Sequence, residues 1–362
     1  MANIKEIAKL AGVSVKTVTR AYKRDAVISP ETRERILKIA KENGYRPNRA
    51  AGRLAAKTIV IGICYAGTTE SFNRELAAGI ADAQNRLCAE HGKLVDGRRD
   101  GERAASVVQK LENSRIRLIP RYVSYLSDEA SYISVLDEFA DAGVDGIITT
   151  YSGTSDRIVQ RYAGLREKKT RLVLLNNENR ELFDFSVTSN IEMTGKMAAE
   201  LISVIAPDRS CAVFTGELRN RRHAGIAGHF SCAAAKRGLS LSGVYDLDYL
   251  PCPEDELLKR LISDGLGSAY ITTGNSADII DALDRADPGR RIRVIASDIF
   301  PHTEKALKSG RVCAIIYQNP YKQAKTSLLR LYAMIAEDAV VPPCIMTPPQ
   351  IILESNIGWY LG

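Results

Sequence analysis

From residue 58 onward the chain alternates between two hydrophobic textures. Short unbroken apolar runs, of which Ile59-Val60-Ile61-Gly62-Ile63-Cys64 is the first, predict strands buried on both faces, as parallel sheets require. Further runs of this kind are read at 116–123, 144–149, 171–175, 211–215, 268–272, 293–296 and 312–317. Between most of them lie stretches whose apolar residues recur at helical spacing: 72–89, 129–142, 192–205, 223–237, 255–263 and 276–285, with 320–336 after the last strand. Strand and helix in alternation predict a doubly wound α/β body. About 300 residues of this pattern exceed one ordinary domain, so two lobes with a cleft between them are expected. The polar stretch from Lys93 to Arg103 reads as a loop.

The first 57 residues carry a different pattern. Two short amphipathic helices fit the start, broken at Gly12-Val13. Asn3 with Glu6 three residues on makes a capping box for the first, and Ser14 caps the second. Ile4, Ile7, Ala8 and Leu10-Ala11 form one apolar stripe; Val13, Val18 and Ala21 form another. The opposite face of the second helix carries Val15, Lys16, Thr17, Thr19 and Arg20. Two such helices around a tight turn are the helix-turn-helix pattern, whose second helix enters the major groove of DNA. Ser29-Pro30-Glu31 opens a third helix, with Ile36, Ile39 and Ala40 on one face, Gly44 at its end and Tyr45-Arg46-Pro47 breaking the chain. The Ala- and Arg-rich segment 48–57 is too short for a stable free helix. It is expected to fold when docked, as a hinge.

Charge sharpens this division. Net charge is +7 over 362 residues. Residues 1–57 hold 14 Lys or Arg against 5 Asp or Glu, and the remainder 36 against 38. A basic head on a nearly neutral body points to a polyanionic partner for the head alone. The seven cysteines are scattered, odd in number and without a C-x-x-C pair, which fits reduced, buried thiols better than a disulfide framework or a zinc site. No run of about 18 apolar residues is present, and Met-Ala-Asn-Ile-Lys-Glu is not a secretory leader. The expectation is a cytoplasmic protein with no membrane partner. His91, His223, His229 and His302 lack metal-ligand spacing, no phosphate loop or nucleophile elbow occurs, and Asp255-Glu256 reads as a helix start. No catalytic set, cofactor or metal is therefore expected.

The chain resembles the lactose-repressor (LacI) family of bacterial transcription regulators. The resemblance rests on Ile7-Ala8-x-x-Ala11-Gly12-Val13-Ser14-x-x-Thr17-Val18-x-Arg20, on Val27-x-Ser29-x-x-Thr32-Arg33-x-x-Ile36, and on Gly44-Tyr45-x-Pro47-Asn48-x-x-Ala51-x-x-Leu54. In the body it uses Val144-Asp145-Gly146-Ile147-Ile148, Asn190, Thr273-Gly274-Asn275, Ala296-Ser297-Asp298 and Tyr317-Gln318-Asn319-Pro320. It implies an all-α head at 1–46, a hinge helix at 47–57 and a periplasmic-binding-protein-like body. The lobes would comprise 58–178 with 318–345, and 179–317 with 346–362.

The same resemblance implies the partners. They are double-stranded operator DNA, read as a pseudopalindrome by a homodimer, and a small-molecule effector, a sugar or polyol, in the cleft. Val15, Lys16 and Arg20 would face base edges. Ser14, Thr17, Ser29, Thr32 and Asn48 would position phosphates, with Thr17 alternatively packing between helices. Leu54 would wedge into the minor groove. Gly52 departs from the usual residue type there and lowers the hinge helix's propensity. In the cleft Asp298 and Asn275 follow strand ends, Gln318 ends the strand 312–317, Asn190 follows the short apolar piece Phe185–Val187, and each Asn, Gln or Asp also reads as a helix cap or turn. Phe72 and Asn73 would stack on and bond a sugar ring. The family often carries an Arg four residues before the aromatic in the helix after strand 211–215. That aromatic is read as Phe230, so the position holds Ile226, with Arg221, Arg222 and His223 nearby as substitutes or as solvated residues. A solute-binding protein for transport is the rival reading. It predicts a leader and no basic head.

Overall fold

The computed structural model describes residues 4–21, 28–43, 58–67, 69–95, 116–124, 128–206, 210–218, 220–246, 255–274 and 276–361. The head has three helices, α1 (Ile4–Leu10), α2 (Val15–Ala21) and α3 (Pro30–Glu42). Gly12 joins the first two at φ +63°, a conformation open to glycine without strain. Ser29 caps α3 by accepting the Thr32 N–H at 3.3 Å. The helix stops at Asn43, whose side chain donates to the Ile39 carbonyl at 2.8 Å. Ile7, Ala8, Ala11, Val18, Ala21, Ile36 and Ala40 close the small core. Leu10, expected in the first stripe, is instead 57% exposed. Its neighbour Ala11 takes the inward position, because adjacent helical residues diverge by 100°. The Asn3 cap, Tyr22 and the hinge segment 48–57 lie outside the described residues.

The body is built on two six-stranded sheets. The first is formed by β1 (Ile59–Ala66), β2 (Ile116–Val123), β3 (Gly146–Thr149), β4 (Arg171–Leu175), β5 (Phe185–Ser189) and β11 (Cys344–Thr347), in the order β11-β5-β4-β3-β1-β2, all parallel. The second is formed by β6 (Ser210–Thr215), β7 (Leu241–Asp246), β8 (Leu266–Ile271), β9 (Arg293–Ser297), β10 (Val312–Tyr317) and β12 (Gln350–Ile352), in the order β12-β10-β9-β8-β6-β7, with only β10 and β12 antiparallel. Alternate residues of each strand feed cores on opposite faces, as the pleat dictates. Ile61, Ile63 and Tyr65 enter one core, and Val60, Cys64 and Ala66 the other. In the second sheet Ala212 and Phe214 part from Cys211 and Val213 in the same way.

Helices cover these faces. On the first lobe they are α4 (Glu70–Val95), α5 (Glu129–Asp141), α6 (Asp156–Glu167) and α12 (Pro320–Glu337); on the second, α7 (Ile191–Ile205), α8 (Arg221–Lys236), α9 (Asp255–Ser263), α10 (Ser276–Ala286) and α11 (Pro301–Lys308). Residues 93–95, expected in a loop, continue α4; the rest of that stretch lies outside the described residues. Between β3 and β4 the structure adds α6, capped by Ser155 and buried through Ile158, Tyr162 and Leu165.

The chain passes between lobes at three places: from β5 into α7, from β10 into α12, and from β11 to β12. This corrects the expected lobe boundaries. Residues 179–189 belong with the first lobe, because Phe185–Ser189 is a strand of its sheet rather than a piece of the second. The last crossing likewise falls after Thr347, not after residue 345.

Candidate nucleic-acid interface and effector cleft

The second helix of the head divides cleanly. Val18 and Ala21 are buried, whereas Val15, Lys16 and Arg20 are exposed. Lys16 and Arg20 are four residues apart and so share one face. Among the described residues neither side chain has a hydrogen-bond or ion-pair partner. Ser14 accepts the Thr17 N–H at 3.0 Å, and the two hydroxyls lie 2.8 Å apart. Ser29 and Thr32 repeat the arrangement, their hydroxyls 2.7 Å apart. Each pair stands at a helix start, where unpaired N–H groups favour anions. Thr17 is half-buried. Asn48 and Leu54 lie outside the described residues.

The second cluster gathers where the carboxyl ends of both sheets meet the crossings, the place where open α/β sheets bind ligands. Asp298 directly follows β9 at φ +61° and is buried. Gln318 directly follows β10, also buried. The Gln318 N–H donates to Asp298 Oδ1 at 2.8 Å, and its Nε2 to Oδ2 at 2.5 Å. Gln318 Oε1 accepts from Ser189 Oγ at 3.0 Å and from Arg222 Nη2. Arg222, in the first turn of α8, also donates to Thr188 Oγ1 at 2.9 Å, to Ser189 Oγ and to the Asn176 carbonyl at 3.5 Å. Burial pushes the Asp298 carboxyl up to about 6, opposed by the Gln318 N–H and by the Arg222 charge. Burial also lowers Arg222 to about 10, which leaves it cationic at neutral pH.

A second contact between lobes stands beside this one. Tyr317 of β10 donates its hydroxyl to Glu75 Oε2 of α4 at 2.5 Å. Burial raises Glu75 to about 7, outweighing that hydrogen bond, and the Asp298 charge adds to the rise. Phe300, two residues beyond Asp298, packs into the first lobe's core with Phe72, Leu76 and Ile80.

The expected cleft residues thus separate. Asp298 and Gln318 are brought together. Asn190 is the cap of α7, its side chain accepting the Met193 N–H at 2.9 Å. Phe72 is only 7% exposed; its ring is a core residue rather than an open stacking face. The cause is its spacing with Leu76 and Ile80, which places it on the buried stripe of α4. Asn73 is half-buried in the first turn of α4. Asn275 lies outside the described residues. Of the three basic residues named near Ile226, Arg222 is placed against this cluster. The signal was the helical period: Arg222 lies four residues before Ile226, one turn back on the same face. Ser189, Thr188 and Glu75 carried no such signal, because their partners are remote in sequence. Among the described residues no group of three or more His, Cys, Asp or Glu could hold a metal ion, and no helix is long and apolar enough to cross a membrane.

Comparison with known proteins places both parts. Residues 3–48 match the family of bacterial regulatory proteins, lacI family, and residues 122–338 match a periplasmic binding protein domain. The chain is a lacI-family regulator. It is 26% identical over 330 residues to the HTH-type transcriptional regulator AscG of Escherichia coli (strain K12), covering 86% of this chain and 87% of that one. With the HTH-type transcriptional regulator AglR of Rhizobium meliloti (strain 1021) it shares 48% identity over 62 residues, 17% of either chain. Over 83% of this chain and 99% of the other, the fold is similar to that of GanP, a glucose-galactose binding protein from Geobacillus stearothermophilus, with a TM-score of 0.66 and 16% sequence identity. In this lacI-family chain the matched head segment contains every described residue of the exposed α2 face, and the matched body segment contains Arg222, Asp298 and Gln318. The protein is a DNA-binding transcriptional regulator.

Proposed function

We propose that the chain is a repressor, without enzymatic activity, that binds a pseudopalindromic operator as a homodimer and is controlled by a neutral sugar or polyol in its cleft. The observation that carries this reading is the uncommitted Lys16–Arg20 face, joined in one chain to a two-lobed body with a buried polar cluster at its crossings. Arg20 supplies two donors suited to guanine, Lys16 a less rigid donor, and Val15 an apolar contact for a thymine methyl. Ser14, Thr17, Ser29, Thr32 and Asn48 hold phosphates, and Leu54 enters the minor groove at the operator centre. One head spans few base pairs, so two-fold pairing on a symmetric site supplies the remaining specificity.

In the cleft Asp298 offers the lone pairs that Gln318 leaves unused, and Asn73 and Asn190 lie at neighbouring helix starts; Asn275 is proposed to join them. A carboxylate that accepts from ligand hydroxyls suits a polyol. The sugar-binding description of GanP, a protein of the same fold, supports that ligand class. Ligand acts by its differential affinity for the open and closed arrangements of the lobes, which resets the spacing of the two hinges. The cytoplasm, where the operator lies, is the place of action.

A mobility shift with a family-type palindromic duplex tests the reading. The expected result is salt-sensitive binding to the palindrome, at least a hundredfold tighter than to a scrambled duplex, altered by one member of a sugar and polyol panel. Equal affinity for both duplexes would overturn it.

A further inference from the structure

Ile299 and Phe300 are neighbours in the chain but enter the cores of different lobes. Ile299 packs in the second lobe, whose strand β9 has just ended, whereas Phe300 is buried in the core of the first. The arm that presents the Phe300 ring is held from behind by its own lobe. The fully buried Thr303 hydroxyl accepts the Phe300 N–H at 2.8 Å and donates to the Asp298 carbonyl at 2.9 Å. Pro301 fixes the next φ as α11 begins. The His302 ring stacks on Phe300 with centroids 5.5 Å apart, and its Nε2 lies 2.6 Å from Ser276 Oγ at the start of α10. An apolar ring is thus anchored in one lobe and seated in the other.

The second lobe meets the start of α4 at two further points. Thr69 stands just before that helix. Its Oγ1 accepts the Phe72 N–H at 3.4 Å, and its carbonyl accepts the Asn73 N–H at 2.9 Å. Gly274, in the turn after β8, faces it across the lobes: a Cβ there would fall 2.8 Å from Thr69 Cγ2 and 3.9 Å from Phe300 Cζ. The Thr69 methyl cannot swing aside alone, because it shares a Cβ with the hydroxyl that caps the helix. The missing side chain at Gly274 is therefore what permits this approach. One turn further along α4, Glu75 accepts the Tyr317 hydroxyl. The turn after β8, the arm after β9 and the end of β10 all close on one helix of the first lobe.

We propose that Phe300 is an interlobe latch and Gly274 the clearance it needs, so that the second lobe closes on α4 through side chains of this chain alone. The contact is apolar at Phe300 and steric at Gly274. It draws the lobes together before an effector adds its own differential affinity, and so sets the equilibrium on which the effector acts. The regulatory half of this inference rests on the function proposed above; the structural half does not.

The test is a cross-link on the full chain, with neither sugar nor DNA present. Thr69→Cys with Gly274→Cys sets two thiols on facing points of the lobes, within disulfide reach only while the lobes are closed. Replacing Thr69 also removes the methyl that a Cβ at position 274 would strike. Oxidised glutathione serves as oxidant, and peptide mapping without reductant reads the rate at which the 69–274 link forms. The link should form, and adding Phe300→Ala should slow it at least fivefold. No link, or the same rate in both proteins, would overturn the proposal. Should Phe300→Ala fail to fold, Gly274→Ala in the otherwise wild-type chain wedges the lobes apart. The Asn73 amide should then exchange at least threefold faster, while the central amides of β3 and β6 keep wild-type protection. Unchanged exchange at Asn73, or a uniform rise across both sheets, would defeat the latch. The regulatory half is read by mobility shift. With wild-type protein that binds its operator, Phe300→Ala should change sugar-free operator affinity at least threefold, and an unchanged affinity would overturn that half. If the wild type binds no operator, the functional reading fails instead, and the cross-linking rates still judge the latch.

Discussion

Asp298 is held at both carboxylate oxygens by one residue, Gln318, through its backbone N–H at 2.8 Å and its side-chain Nε2 at 2.5 Å. That double bond spans the gap between β9 and β10 and aims the carboxylate before any ligand arrives. It also makes the second crossing part of the cleft, so that whatever binds Asp298 acts on a residue at which the chain changes lobes.

Asp298→Asn should therefore separate ligand response from DNA binding. Hydrogen bonds to a charged acceptor contribute about 1.5–3 kcal/mol each, so losing the charge should weaken the effective sugar by about tenfold or more. Operator affinity without sugar should stay within about threefold. Thermal shifts with the sugar panel and a parallel mobility shift give the two numbers. Because the carboxyl is raised to about 6, wild-type sugar affinity should also fall as the pH drops below about 6, and that fall should be absent from the Asn variant.

On the head, Arg20→Ala should cost about 1–3 kcal/mol of discrimination, roughly 5- to 150-fold, at one symmetric pair of operator positions. Ser14 and Thr17 are expected to hold phosphates, so Thr17→Ala should lower affinity for all duplexes alike and reduce the salt slope only slightly. Fluorescence anisotropy on operator variants distinguishes the two patterns.

Glu75 gives a pH signature of its own. Its pKa rises from 4.5 to about 7 on folding. Below about 4.5 the group is protonated in both states and its contribution is fully present. Between about 4.5 and 7 the unfolded chain has released the proton that the folded protein still holds, so stability falls as pH rises and the loss is complete once pH passes about 7. Asp298 acts in the same direction over a lower window, up to about 6. Glu75→Gln should therefore flatten the fall in melting temperature between about pH 4.5 and 7, a difference of up to about 3 kcal/mol across the full shift. Parallel pH slopes for the two proteins would contradict this.

Gly79→Ala tests the seam between α4 and α12. A Cβ at Gly79 would fall 2.1 Å from the Tyr321 carbonyl oxygen, and neither backbone can yield without moving a helix. Overpacking of this kind costs about 1–3 kcal/mol. The body's melting temperature should drop by several degrees, while the head, which makes no use of that seam, keeps its helical signal.

The sequence by itself determined the kinds of element and the identity of the head. Val18 and Ala21 are buried and Lys16 and Arg20 exposed because a 3.6-residue period fixes which side chains share a face, and that is a local property of the chain. The apolar runs became parallel strands for an equally local reason: a segment without polar positions must be covered on both sides. What only the tertiary structure decided is which remote residues meet. Leu10 and Phe72 exchanged their expected environments, because an apolar side chain near the edge of a stripe goes in or out according to its neighbours. Residues 185–189 joined the first sheet, since strand partnership depends on hydrogen bonds across the fold. The Arg222–Gln318–Asp298 chain joins positions 96 and 20 residues apart. Its geometry comes from three chain crossings meeting at one place, which no local period encodes.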